Sequence, residues 1–185
     1  MRRKPITLAG IALVLICVVA WKLSVIFEDT IRIDTDNIDA AKAAVQDSFG
    51  VISDDIVIRD IKMEKDMVFV LYGINRGTSG DVRLRIFEKV LPIGNIYKKL
   101  GGAQSSKEID TASFFGDFPE ISGMLIVYGN NSKLCASSYT LDRPDGTSYR
   151  KDITENLIFD IYFFEEEREL LGGTLRLYDA NGQEL

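Results

Sequence analysis

The chain contains no histidine among its 185 residues. That absence removes Ser-His-Asp and Cys-His nucleophilic arrangements and the usual zinc sets, all of which rely on an imidazole. Cysteine is nearly missing as well, with Cys17 and Cys135 alone. Cys17 falls in the N-terminal apolar run, so the remainder holds one thiol and can form no intrachain disulfide. "KLCASS" alternates like a strand, which predicts that Cys135 is buried and inert. No G-x-G-x-x-G or Walker-type loop occurs, and "LGG" at Leu100 and Leu171 is turn punctuation. Positive charge is in deficit, 22 Lys and Arg against 28 Asp and Glu, for a net charge of −6. Three of those cations are Arg2, Arg3 and Lys4, so the rest of the chain carries −9. Such a surface repels nucleic acid and anionic head groups unless a local basic patch intervenes. The short "YKK" at Tyr97–Lys99 reads as solvated charge at a strand end.

What remains is ordinary for a globular protein: 46% hydrophobic and 27% charged residues, in a length suited to one domain. The N-terminus stands apart. Arg2, Arg3 and Lys4 precede an uncharged run from Ile6 to Trp21, the pattern of a secretory signal or signal anchor. Counting on to Phe27 interrupts the run only at Lys22, enough to span a bilayer if that lysine snorkels. The reading adopted is an uncleaved single-pass anchor over 1–27, with the basic end cytoplasmic and the remainder extracytoplasmic. Cleavage after Ala20, which would release a secreted domain, is the alternative. Ile16 ahead of Cys17 argues against lipidation. A tether over 28–37 then leads to an extracytoplasmic, β-rich domain over 38–185.

That domain opens with a helix. In "NIDAAKAAVQDSFG" Asn37 caps, Asp39 favours the positive end, and Gly50 stops the run. Ile38, Ala41, Val45 and Phe49 share one face, which gives an amphipathic helix over 38–49. "DTDNID" brings Asp34, Asp36 and Asp39 together but lacks the glycine and glutamate of a calcium loop, so it reads as tether and cap. Beyond Gly50 the period becomes that of strands. Ile56 and Ile58 share a face; Val82, Leu84 and Ile86 point inward with Arg83 and Arg85 toward water. "LIFDIYFF" is apolar on both faces and is expected at the centre of a sheet.

Three stretches, "VLYGIN", "IVYGNN" and "RLYDAN", repeat Y-[GD]-x-N at Tyr72, Tyr128 and Tyr178. Glycine and asparagine accept positive φ, so each is expected to be the turn after a strand. Phe87, Pro92, Gly94 and Tyr97 also align with Tyr139, Pro144, Gly146 and Tyr149 at a constant offset. The expectation is a mainly β (α+β) fold. It would be an antiparallel sheet or sandwich of two related four-stranded units, with a half unit made from "LIFDIYFF" and "TLRLYDA". "SFFGDF" at Ser113–Phe118 is placed in a loop covering one end of the core, and "EEERE" at Glu165–Glu169 at a solvated hairpin tip, whose four carboxylates are the alternative place for a loosely held divalent cation.

No catalytic, cofactor-binding or metal-ligating residue is nominated, and no cofactor is implied. The plan of anchor, helix and β-rich tail, with "YGNN", "YTLDRPDGTSY" and "LRLYDANGQEL", resembles uncharacterised membrane-anchored, β-rich envelope proteins of Gram-positive bacteria. The resemblance brings no activity with it. The expected role is a non-catalytic binding or accessory module at the cell surface, with the membrane and a surface protein as partners and no nucleic acid. The alternatives are a structural subunit of a membrane complex and a carboxylate-dependent hydrolase of envelope polymers.

Overall fold

The computed structural model describes residues 12–21, 30–74, 82–90, 94–118, 121–165 and 173–185, with backbone alone at 51, 53 and 116–118. Among the described residues it is mainly β, 54% strand against 17% helix, and its antiparallel sheets include a curled half-barrel. Helix α1 covers residues 12–21, and its apolar side chains, Leu13 and Trp21 among them, are exposed. Among the described residues no helix is long and apolar enough to cross a membrane. The rest of the expected anchor over 1–27 lies outside the described residues.

The large sheet has the order β1-β5-β4-β3-β2, from β1 (Thr30–Arg32), β2 (Ile56–Glu64), β3 (Met67–Ile74), β4 (Arg83–Lys89) and β5 (Ile96–Gln104). The middle sheet joins β10 (Leu157–Phe164), β7 (Ile121–Asn130) and β6 (Ile109–Phe118). The outer sheet joins β11 (Thr174–Tyr178), β8 (Ser138–Asp142) and β9 (Ser148–Asp152). All named pairs are antiparallel.

Side-chain alternation stacks these layers in the order helix, large sheet, middle sheet, outer sheet. Helix α2 (Ile38–Asp47) begins at Asn37, whose Oδ1 accepts from the backbone N–H of Asp39 and Ala40 at 3.1 Å each, as the sequence predicts. Its Ala41 and Val45, with Phe49 beyond it, bury against Val68, Val70 and Phe87 of the large sheet. The opposite face, Phe69, Leu71, Leu84 and Ile86, packs on Met124, Ile126, Tyr128 and Phe159 of the middle sheet. Val127 and Ile158 of the middle sheet then face Tyr139, Leu175 and Leu177 of the outer sheet.

Several expectations are corrected. "LIFDIYFF" is two-sided because it belongs to the middle layer, yet within its sheet β10 is an edge strand. "SFFGDF" is part of strand β6, with Phe114 packed in the core and Phe115 46% exposed. Arg85 does not face water: its guanidinium lies 3.6 Å from the ring centre of Phe49 and 5.7 Å from that of Tyr72. Odd positions of β4 face the helix layer, so a cation there needs an aromatic face to replace lost hydration. Burial lowers its pKa from the usual arginine value.

The second unit does not form one four-stranded sheet. In the first, β3 pairs β4; in the second, β7 and β8 part, β10 takes the flank of β7, and β11 takes the flank of β8. The strands expected to make a half unit together are thus divided between two sheets. The hairpins themselves correspond in register: Phe87 faces Lys99 as Tyr139 faces Lys151, and Gly94 and Gly146 both turn at positive φ, 79° and 85°.

The Y-[GD]-x-N stretches resolve into three different situations. Gly73 and Gly129 lie inside their strands, paired to Val57 and Ile109, and not in turns. At Gly129 a Cβ would come within 2.2 Å of the Glu108 carbonyl oxygen, so glycine is needed for close backbone approach. Asn131 makes the turn instead, bonding Ala136 N and O at 2.8 Å each. Asn75 lies outside the described residues. At the third stretch Asp179 Oδ1 accepts from Asn181 N and Gln183 N at 2.8 Å, the turn that the sequence predicts.

Candidate functional site

The residues flagged in the sequence do not converge. Tyr72 faces the helix layer, Tyr128 the seam between large and middle sheets, and Tyr178 the solvent side of the outer sheet, where its ring meets Arg150. Cys135 is exposed, in a loop at φ 51°, and not in a buried strand. Glu165 is exposed, and the remaining acids of "EEERE" lie outside the described residues. Among the described residues no three acids or cysteines come together as a metal site.

A different place does collect chemistry. Strands β2, β10 and β9 are edge strands of the large, middle and outer sheets, and all three line one cleft of about 320 Å³. Asp60 and Lys62 enter from β2, Leu157 to Asp160 from β10, Lys151 and Asp152 from β9, with Ile153–Glu155 closing the end.

A β-bulge aims the first pair. The register of β2 on β3 shifts between Ile58 and Asp60, so Ile56 and Ile58 pack beneath α2, and beyond the shift Ile61 and Met63 take that face. Without the extra residue, strict alternation would put Asp60 and Lys62 under the helix. The bulge turns them toward the middle sheet. There Lys62 Nζ donates to the Phe159 carbonyl, its cation 5.3 Å from the centre of the Phe159 ring. Edge strands invite pairing with other chains, and a lysine covering an edge carbonyl blunts that tendency.

The wall shared by the middle and outer sheets holds a chain of polar groups. Tyr139, fully buried, bonds Asp160 Oδ2 through its hydroxyl at 2.7 Å and meets the Tyr162 hydroxyl at 2.6 Å. A phenol has one proton. If Tyr139 gives it to the carboxylate, its oxygen accepts from Tyr162. Lys151 Nζ pairs with the other Asp160 oxygen. Burial pushes Tyr139 far above the ordinary phenol value, and its bonds to Tyr162 and the Asp160 carboxylate push further the same way. Burial also raises Tyr162. Both phenols therefore stay protonated near neutrality and act as fixed hydrogen-bonding groups.

The available signal for this site was Asp160, a lone acid inside "LIFDIYFF". A carboxylate amid seven apolar or aromatic residues needs partners wherever the strand is covered. Sequence could not say that Tyr139 and Lys151, from another sheet, would supply them. Comparison with protein-family models, with curated proteins and with solved structures finds no match for this chain.

Proposed function

We propose that the chain is a non-catalytic binding or accessory module, held at the outer side of a cell membrane by residues 1–27, that takes its ligand in the cleft between the three sheet edges. The observation that carries this reading is the convergence of β2, β10 and β9 on one cavity lined by the bonded Tyr139, Asp160 and Lys151, with Tyr162 joined to them through the Tyr139 hydroxyl. Preorganised donors and acceptors around a cavity of this size suit recognition of a small ligand or a short segment of a polymer. The phenols are held protonated and Asp160 is paired, so the best-ordered groups serve orientation and not proton transfer. Membrane anchoring rests on the basic, then apolar, leader, and the likeness to envelope proteins of Gram-positive bacteria points the same way.

The test uses the full chain in detergent micelles with labelled tyrosines. Peptides and glycan fragments from a bacterial envelope are titrated while the Tyr139 and Tyr162 resonances are followed. A ligand of the cleft shifts both, and Asp160→Asn weakens binding without unfolding the chain. Binding that leaves both resonances unmoved overturns the cleft as the site.

A second reading, hydrolysis of an envelope polymer, is favoured by the carboxylates of Asp60, Asp152, Glu155 and Asp160 on the same cleft. It requires two of them to act on opposite sides of a bond. Product release from those fragments, abolished by a single Asp→Asn change in the cleft, would displace the binding-only reading.

A further inference from the structure

The position of β1 relative to the leader constrains how the domain meets the membrane. Thr30 opens β1 three residues after Phe27, where the proposed anchor ends. Three extended residues reach about 10 Å, and the head-group layer on each side of a bilayer is roughly 5–8 Å deep. The start of β1 is therefore held at or just above the head groups. Thr30 pairs with Lys98, Ile31 with Tyr97 and Arg32 with Ile96, so β1 carries the end of β5 with it.

That edge is basic. Arg32, Lys98 and Lys99 are all exposed, and among the described residues none of the three has an ion-pair partner. Four other lysines are matched, Lys89 to Asp66, Lys107 to Asp110, Lys133 to Glu108 and Lys151 to Asp160, whereas Lys65 lies over the Phe163 ring without an ion pair among the described residues. Glu88 stands across from Lys98 on β4 and makes no ion pair with it. The chain beyond the first four residues is acidic, and an acidic body tethered this closely is repelled by an anionic bilayer in most orientations. Beside the tether, the orientation that lowers the repulsion puts the unpaired cations of this edge against the lipid.

We propose that the β1–β5 edge, through Arg32, Lys98 and Lys99, is a membrane-facing surface that contacts anionic phospholipid head groups and so sets the orientation of the domain. This rests on the anchor reading of residues 1–27. Each basic residue within a Debye length of an anionic surface favours contact roughly fivefold. The far edge, β2, lies four strand spacings from β1, about 19 Å, and its hairpin carries the exposed Lys65 as an internal control.

The experiment reconstitutes the full chain into vesicles of phosphatidylcholine alone or of phosphatidylcholine with phosphatidylglycerol, and measures lysine acetylation by mass spectrometry. Contact slows Lys98 and Lys99 roughly threefold or more in the anionic vesicles, high salt restores both, and Lys65 is unchanged. Arg32→Glu, which leaves both reporter lysines in place, returns their rates toward those in neutral vesicles. Equal rates at Lys98 and Lys99 in the two vesicle types, or equal slowing at Lys65, overturn the contact. An alkaline carbonate wash separates the two readings. A chain that stays embedded but labels equally overturns the edge contact alone, whereas a chain washed off overturns the anchor and this orientation with it.

Discussion

The middle sheet has two faces, and they are held by different physics. Toward the large sheet, Phe69, Leu71, Leu84 and Ile86 meet Met124, Ile126 and Phe159 in one continuous apolar cluster. Toward the outer sheet the buried apolar contacts break into two small groups, one around Val127 and Ile158, the other around Leu125 and Leu141. Between them run the hydroxyls of Tyr139 and Tyr162 and the Asp160 carboxylate. The same strands, β7 and β10, present both faces, so the contrast comes from alternate residues of one sequence. An apolar seam tolerates no water and little shape change. A seam made of hydrogen bonds fixes orientation instead and leaves room beside it for a cleft.

Truncation inside the apolar seam has the largest expected effect. Phe69 is fully buried, and Phe69→Ala is expected to cost about 3–5 kcal/mol, read by urea denaturation of the full chain in detergent. Leu141→Ala, equally buried but in the smaller outer group, should fall near about 2–3 kcal/mol, the low end for such changes. If Leu141→Ala proves as costly as Phe69→Ala, the two seams do not differ in packing and the contrast fails.

The polar seam is tested next. Tyr139→Phe keeps the ring but withdraws the donor from Asp160 Oδ2, for an expected loss of about 1–3 kcal/mol. A double-mutant cycle with Tyr162→Phe should show clear coupling, since the two hydroxyls share one proton chain. The pH dependence has a definite sign. Both phenols are raised above their unfolded value, so their contribution is fully present below about pH 10 and is lost as pH rises beyond it. Above that pH each such tyrosine steepens the fall in stability by up to about 1.4 kcal/mol per pH unit. Tyr139→Phe should flatten the alkaline limb; an unchanged slope would mean that the hydroxyl is not held protonated by the fold.

The apolar seam was largely legible in the sequence and the polar one was not. Val82, Leu84 and Ile86 alternate cleanly and do line the core. Asn37 announces the helix that it caps. Such signals are local, needing only period and side-chain chemistry. Arg85 breaks the rule because its face is covered by Phe49, just past the end of α2 and distant from it in sequence. The bulge at Arg59 left no mark in "DIVIRDIKM", since an extra residue in a run of alternating character is visible only in the pairing. Dividing the second unit between two sheets is likewise a matter of partners: β7 is free to pair with β4-like or β10-like strands on pattern alone, and the long two-sided apolar run of β10 wins the buried place. The candidate cleft is assembled from three such non-local outcomes, which is why only Asp160 hinted at it.

The smallest effect is expected where the polar seam reaches solvent. Lys151 pairs with Asp160, but its side chain is 51% exposed while that of Asp160 is 14% exposed. A half-exposed lysine gives up little hydration and gains little from its partner, so Lys151→Met should cost no more than about 1 kcal/mol. Added salt should weaken even that, whereas the Tyr139 bond beneath it should be insensitive to salt. A loss of more than about 2 kcal/mol would show that the ion pair anchors Asp160 and that the phenols follow it. The outer seam would then be an electrostatic lock facing the cleft, open to any ligand able to compete for Lys151, and its contrast with the apolar seam would lie in charge and not in hydrogen bonding.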